Sequence, residues 1–92
     1  MDGPSKFPYE VIEDELFTAQ AREIEPDTKK LDERLRYVTW VLARIPHEFG
    51  RVRNTNLRRV VHDGNPKLRI WFTFDGIQVV MKSIERYEPN AV

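Results

Sequence analysis

The sequence predicts an α+β domain of order β-α-α-β-β-β, with two N-terminal helices packed on a mainly antiparallel four-stranded sheet. Three observations predict it. Phe7, Tyr9 and Val11 alternate with polar residues or proline, as a strand does. Leu31, Leu35, Val38, Leu42 and Ile45 recur at steps of four and three, which is one stripe of a helix. Two apolar-rich runs flank Asp75-Gly76, the composition of a β-hairpin. At 92 residues the chain makes one domain with a modest core.

Residues 1–6 are expected to be a flexible terminus, residues 7–88 the domain, and residues 89–92 a short tail. The first strand is predicted over 7–12, with Pro8 placing it at an edge or an early position. Asp14 to Ile24 reads as a short helix with acids in its first turn, where the helix dipole favours them. Pro26 ends it, and Asp27 or Thr28 can cap the second helix. Val41 widens the stripe of that helix and Pro46 stops it. Residues 47–56 read as a polar loop, and Leu57 to His62 as the second strand. Asp63-Gly64-Asn65-Pro66 is a dense turn cluster. Strands over 67–74 and 77–86 complete a meander whose apolar face the helices must cover.

A type I′ turn centred on Asp75-Gly76 sets a definite register. It pairs Phe74 with Ile77, Phe72 with Val79, Ile70 with Met81 and Leu68 with Ser83. The opposite face then pairs Thr73 with Gln78, Trp71 with Val80 and Arg69 with Lys82. Two cations facing each other repel unless an anion lies between them or they splay into water.

Cysteine is absent, which excludes disulfides and thiolate metal sites and suits a cytoplasmic location. The first residues show neither the basic nor the apolar region of a signal peptide, and no apolar run approaches a membrane span. The formal net charge is zero, but its distribution is uneven. Residues 1–33 hold ten acids and four bases; residues 34–92 hold five acids and eleven bases. Either the two halves attract each other, or the basic half meets phosphate or an acidic partner. No metal-ligand spacing, Gly-rich phosphate loop or G-x-S-x-G is present, so no metal and no cofactor are expected.

Three segments carry a family resemblance. Arg44-Ile45-Pro46 closes the second helix, Leu68-Arg69-Ile70-Trp71-Phe72 forms the third strand, and Ser83-Ile84-Glu85-Arg86-Tyr87 ends the fourth. With the element order, these make the chain resemble the RelE/ParE superfamily of bacterial toxins over about residues 7–88. The resemblance implies a toxin neutralised by an antitoxin encoded beside it. Some members of the family cleave mRNA in the ribosomal A site, and others inhibit DNA gyrase without cutting anything.

For an RNase of this kind, the resemblance implies attack of a 2′-hydroxyl on the adjacent phosphate. That step needs cations, a base and an acid. Arg69 matches the third-strand arginine, and Arg86 and Tyr87 match the terminal arginine and aromatic. His62 is the best-placed imidazole. With Arg69, Arg86 and Tyr87 it makes the expected catalytic set. Arg58, Arg59, Lys67, Lys82 and Trp71 are candidates for RNA or phosphate binding, Trp71 by stacking a base. Each has a plainer reading as a solvated charge, a turn residue or a packing aromatic. The resemblance is incomplete: Leu68 stands where the family has tyrosine, and the sequence pI is near 6.7 whereas such RNases are usually strongly basic.

The leading expectation is thus a metal-independent mRNA endoribonuclease working on the ribosome. The alternative is a toxin fold that acts by binding alone, as on DNA gyrase, or a non-toxic interaction relative. For the binding mode, Tyr37, Trp40 and Arg44 on the flank of the second helix are the candidate contacts. The expected partner in either case is the antitoxin, reaching an open groove or sheet edge.

Overall fold

A computed structural model describes residues 8–87 of the chain. The expectations for residues 1–6, Phe7 and residues 88–92 lie outside the described residues. Strand β1 (Glu10–Glu13) leads into helix α1 (Glu15–Ile24) and helix α2 (Thr28–Leu42). A 3-10 turn over Pro46–Glu48 follows, then β2 (Arg58–His62), β3 (Leu68–Phe74) and β4 (Gln78–Arg86). The expected order and class hold. The sheet runs β1-β4-β3-β2, with β1 parallel to β4 and the other pairs antiparallel.

The helices start where their caps dictate. The Asp14 carboxylate accepts from Glu15 N–H, and the Asp27 carboxylate accepts from Lys29 and Lys30 N–H. Leu31, Leu35, Val38 and Leu42 are buried in a row, so the stripe does face the core. Ile45 does not join it and is 43% exposed. The residue before a proline is pushed out of the helical region, and Ile45 has φ −133°. The helix therefore ends at Leu42 rather than at Pro46.

Both helices lie on one face of the sheet. Phe17 and Ala21 of α1 and the α2 stripe meet Val60, Leu68, Ile70, Phe72, Val79, Met81 and Ile84. Phe49 closes the β2 side, its ring edge-on to Phe72 with centroids 6.0 Å apart. β1 flanks β4 only as far as Met81. Beyond that point Gln20 of α1 takes over, its side-chain oxygen accepting from Ile84 N–H at 2.9 Å.

The hairpin register differs from the expected one in two steps. Gly76 alone carries the positive φ (95°), and Asp75 N–H donates to Gln78 O at 3.3 Å. The turn is therefore centred on Gly76-Ile77, the Gly-first arrangement of a type II′ turn. The Asp75 carboxylate accepts from the N–H groups of Ile77 and Gln78, each at 2.8 Å. Phe74 consequently pairs with Val79, and Ile77 stands 62% exposed instead of facing Phe74. A bulge then inserts one residue into β4, so Phe72 pairs with Met81 but Trp71 pairs with Ser83. From there Ile84, not Ser83, points to the core.

Candidate functional site

The bulge decides which groups meet on the face of the sheet that carries no helix. Register places Arg59 and Val61 of β2, Arg69, Trp71 and Thr73 of β3, and Ser83 and Glu85 of β4 on that face. Arg69 sits opposite Glu85, not Lys82. Its guanidinium is held by the Glu85 carboxylate through Nη2 and through Nε at 2.9 Å. It also lies 5.0 Å from the Trp71 ring centroid and 4.7 Å from that of Tyr87. An arginine with a carboxylate partner and two aromatic neighbours has little free charge to offer a phosphate.

The expected catalytic set is divided between the two faces. Tyr87 joins Arg69: its N–H continues the ladder to Lys67 O at 2.9 Å. Arg86, opposite Leu68, is turned to the helix side, where it lines a groove of about 270 Å³ with Gln20, Glu23 and Ile24. Regular alternation from the expected Arg69–Lys82 pairing would put Arg86 on the face of Arg69; the extra residue at the bulge inverts the alternation beyond it and turns Arg86 away. His62 also faces the helices, opposite Leu68 on β2.

His62 is bound into a structural contact. Its Nδ1 lies 3.2 Å from Arg34 Nη2, and its ring centroid is 5.8 Å from that of Tyr37. Arginine has no acceptor, so Nδ1 accepts and the imidazole is neutral. Burial, then the Arg34 charge, push its pKa below the ordinary 6.5, against the opposing pull of Asp63. The same Arg34 Nη2 donates to Pro66 O at 2.5 Å, so one guanidinium ties α2 to the β2–β3 turn.

The other cations are distributed as follows. Arg58 donates to Phe49 O at 2.5 Å and to His47 O at 3.5 Å, which anchors the loop before β2. Lys67 Nζ lies 3.7 Å from Asp63 Oδ1, and Lys82 Nζ lies 3.2 Å from Asp14 Oδ2. Arg59 is exposed beside its register partner Trp71. On α2, Tyr37 is 61% and Trp40 is 55% exposed, with the Arg44 guanidinium 4.1 Å from the Trp40 ring centroid. Ile45, beyond the end of the helix, is exposed as well.

Sequence reasoning passed over Glu85 and Arg34. A signal for Glu85 was present. The expected core face of β4 runs Ile77, Val79, Met81, then Ser83, a polar residue in an apolar slot with Ile84 beside it. That break in parity marks the bulge that brings Glu85 to Arg69. Arg34 gives no comparable signal, because its contact depends on how α2 crosses the turn.

Two helices on one face of a β1-β4-β3-β2 sheet, with β1 parallel to β4, form the arrangement that comparison with solved structures identifies as a known fold. Solved structures that share it include two from toxin–antitoxin systems. A chain of the toxin–antitoxin complex RelBE2 from Mycobacterium tuberculosis superposes with a TM-score of 0.69 at 16% identity, over 88% of this chain and 93% of that one. A chain of the chromosomal ParDE toxin–antitoxin system from P. aeruginosa gives 0.68 at 15% identity, over 88% and 98%. At such identities the likeness is one of fold. No family model matches the sequence, and no curated protein does. No helix among the described residues is long and apolar enough to cross a membrane.

Proposed function

We propose that this chain is the toxin of a toxin–antitoxin pair and that it acts by gripping a macromolecular target, not by cutting RNA. The fold likeness to toxin–antitoxin proteins over nearly their whole length supports the toxin role. The observation that carries the choice of mechanism is the engagement of Arg69 by Glu85. A cation meant to stabilise a developing phosphorane charge works when it is aimed at the reacting phosphate. Here it is neutralised within the protein, and His62 and Arg86 are on the other side of the sheet.

The binding reading has a surface to use. Tyr37, Trp40 and Arg44 are residue types that dominate interface energetics. Tyr37 and Trp40 are exposed on α2, and the half-buried Arg44, just past the end of the helix, lies over the Trp40 ring. DNA gyrase is the target that the family resemblance suggests, and the cognate antitoxin is the neutralising partner. One arrangement favours mRNA cleavage as a second reading: Arg69, Tyr87, Trp71 and Arg59 do gather at the helix-free face. In that case Glu85 would have to release Arg69 on the ribosome.

The test is induction of the chain in a bacterium lacking the partner gene. Growth, labelled amino-acid incorporation and labelled thymidine incorporation are followed over the first minutes. The expected result is growth arrest with protein synthesis initially sustained, lost in the folded Tyr37→Ala/Trp40→Ala variant and kept in Arg69→Ala. An immediate fall in protein synthesis that Arg69→Ala abolishes would establish the RNase reading instead. Unimpaired growth would refute the toxin role.

A further inference from the structure

One side chain of α2 ties that helix to the β2–β3 turn, and an imidazole sits inside the tie. Arg34 Nη2 donates to Pro66 O at 2.5 Å and lies 3.2 Å from His62 Nδ1. That nitrogen carries two N–H groups, so the two acceptors use both. The guanidinium is pressed against the turn so closely that it leaves no room for a Cβ on Gly64. The imidazole also has an aromatic neighbour. The Tyr37 ring lies with its centroid 5.8 Å away, tilted by 46°. His62 thus touches both the side chain that holds the turn and an exposed residue of the α2 surface.

The tie exists in only one protonation state. Arginine keeps its charge and has no acceptor, so Nδ1 must keep its lone pair. A proton on Nδ1 turns the acceptor into a donor and sets two cations 3.2 Å apart. The groups around the ring decide where those charges go. Lys30, Glu33, Arg34 and Tyr37 come from α2, and Glu25 from the segment between the helices. Asp63 comes from the turn, with Lys67 Nζ 3.7 Å from it, and the facing residue of β3, Leu68, is apolar. His62, Arg34, Glu25 and Glu33 line one cleft of about 500 Å³. Its two carboxylates offer a displaced guanidinium a new partner. The Tyr37 ring offers one to an imidazolium, since an aromatic face attracts a cation. Burial, then the Arg34 charge, hold the His62 pKa below 6.5 against the pull of Asp63, so the tied form prevails at neutral pH.

We propose that His62 is a proton-operated latch between α2 and the β2–β3 turn. In the neutral form its Nδ1 holds Arg34 in place on Pro66 O and leaves Tyr37 free to face a partner. On taking a proton from solvent it expels Arg34 toward the Glu25 and Glu33 carboxylates. The imidazolium then takes the Tyr37 ring as its neighbour instead. The turn loses its tie to α2, and Tyr37 is drawn toward the sheet, away from the surface it shares with Trp40. Each arrangement gives both cations a partner, which makes the element two-state. Acid therefore weakens any grip that uses Tyr37, a consequence that rests on the binding function proposed above; the latch itself does not.

The test is an NMR titration of the whole chain from about pH 7.5 to about pH 5, the range over which histidine changes charge. The probes are the His62 ring, the Arg34 Nε–H, the Gly64 amide and the Tyr37 ring. At neutral pH the His62 nitrogen shifts should show the Nε2–H tautomer, with Nδ1 unprotonated. The His62 midpoint should fall below 6.5, and the other three signals should move with that same midpoint. Tyr37 exposure, read by photo-CIDNP, should fall as they do. The three signals should stay still in His62→Gln, whose amide oxygen accepts from Arg34 without titrating. In Arg34→Gln the His62 midpoint should rise, and an unmoved midpoint there would overturn the proposal. So would a wild-type midpoint at or above 6.5, or equal movement of the three signals in His62→Gln. A titrating His62 beside motionless Arg34 and Gly64 signals would make the imidazole a bystander and overturn it as well. Loss of the Ile70 and Val79 methyl signals at the same midpoint would overturn it in favour of global unfolding. No readout involves a target, so failure of the latch and failure of the binding function are told apart.

Discussion

A side chain at Gly64 would meet the Arg34 guanidinium, and a double-mutant cycle measures what that encounter costs. A Cβ built on Gly64 would overlap Arg34 Nη2 and stand 3.1 Å from Arg34 Cζ. Gly64 is not in the left-handed region, so alanine can adopt its backbone without strain. Gly64→Ala must therefore displace the guanidinium, which donates to Pro66 O and approaches His62 Nδ1. A hydrogen bond from a charged group contributes about 1.5–3 kcal/mol, and partial exposure puts this one at the low end. Restricting the unfolded chain returns about 0.4–1 kcal/mol. The net expectation is a loss of roughly 1 kcal/mol, a fall in Tm of about 4–8 °C for a domain of this size. In an Arg34→Ala background nothing is left to displace, so the same substitution should stabilise by about 0.5 kcal/mol. Urea unfolding followed by the fluorescence of Trp40 and Trp71 measures all four proteins, with a coupling near 1.5 kcal/mol expected. Equal destabilisation in both backgrounds would refute the reasoning and place the requirement for glycine in the backbone.

Three other predictions follow from the same contacts. Folding disfavours the His62 imidazolium, so as pH falls through about 6.5 the unfolded chain takes up the proton first and stability is lost. The drop in Tm between pH 7.5 and 5.5 should accordingly be smaller in His62→Gln than in wild type. Ile84→Ala should cost about 2–5 kcal/mol by chemical denaturation, whereas Ile77→Ala should cost almost nothing, the reverse of what an unbulged hairpin would give. Glu85→Gln should cost up to about 1 kcal/mol, since the pair is partly exposed and screened. It should also raise anion affinity at the helix-free face, read as phosphate-induced shifts of the Arg69 and Trp71 side-chain resonances.

The described elements were largely legible because their signals are local. The stripe through Leu31, Leu35, Val38 and Leu42 specifies a helix and its buried side with no knowledge of the partner. Asp27 and Asp14 mark helix starts by chemistry contained within one turn. Alternation in Leu68 to Phe74 specifies a strand and sorts its two faces. The candidate site was less legible because it is made of pairings. Asp75-Gly76 correctly marked a hairpin, but placing the turn one residue early moved every partner of β3.

The sequence by itself determined which segments are helix and strand, which residues of α2 and β3 face inward, and that residues 51–59 concentrate arginine without acid. Tertiary structure alone decided that Arg69 meets Glu85 and Tyr87, that Arg86 and His62 lie on the helix side, and that Arg34 reaches across to Pro66. The physical reason is that side-chain alternation is a property of one strand, whereas register is a property of two. One bulged residue in β4 leaves the strand a strand, yet turns every side chain beyond it to the opposite face.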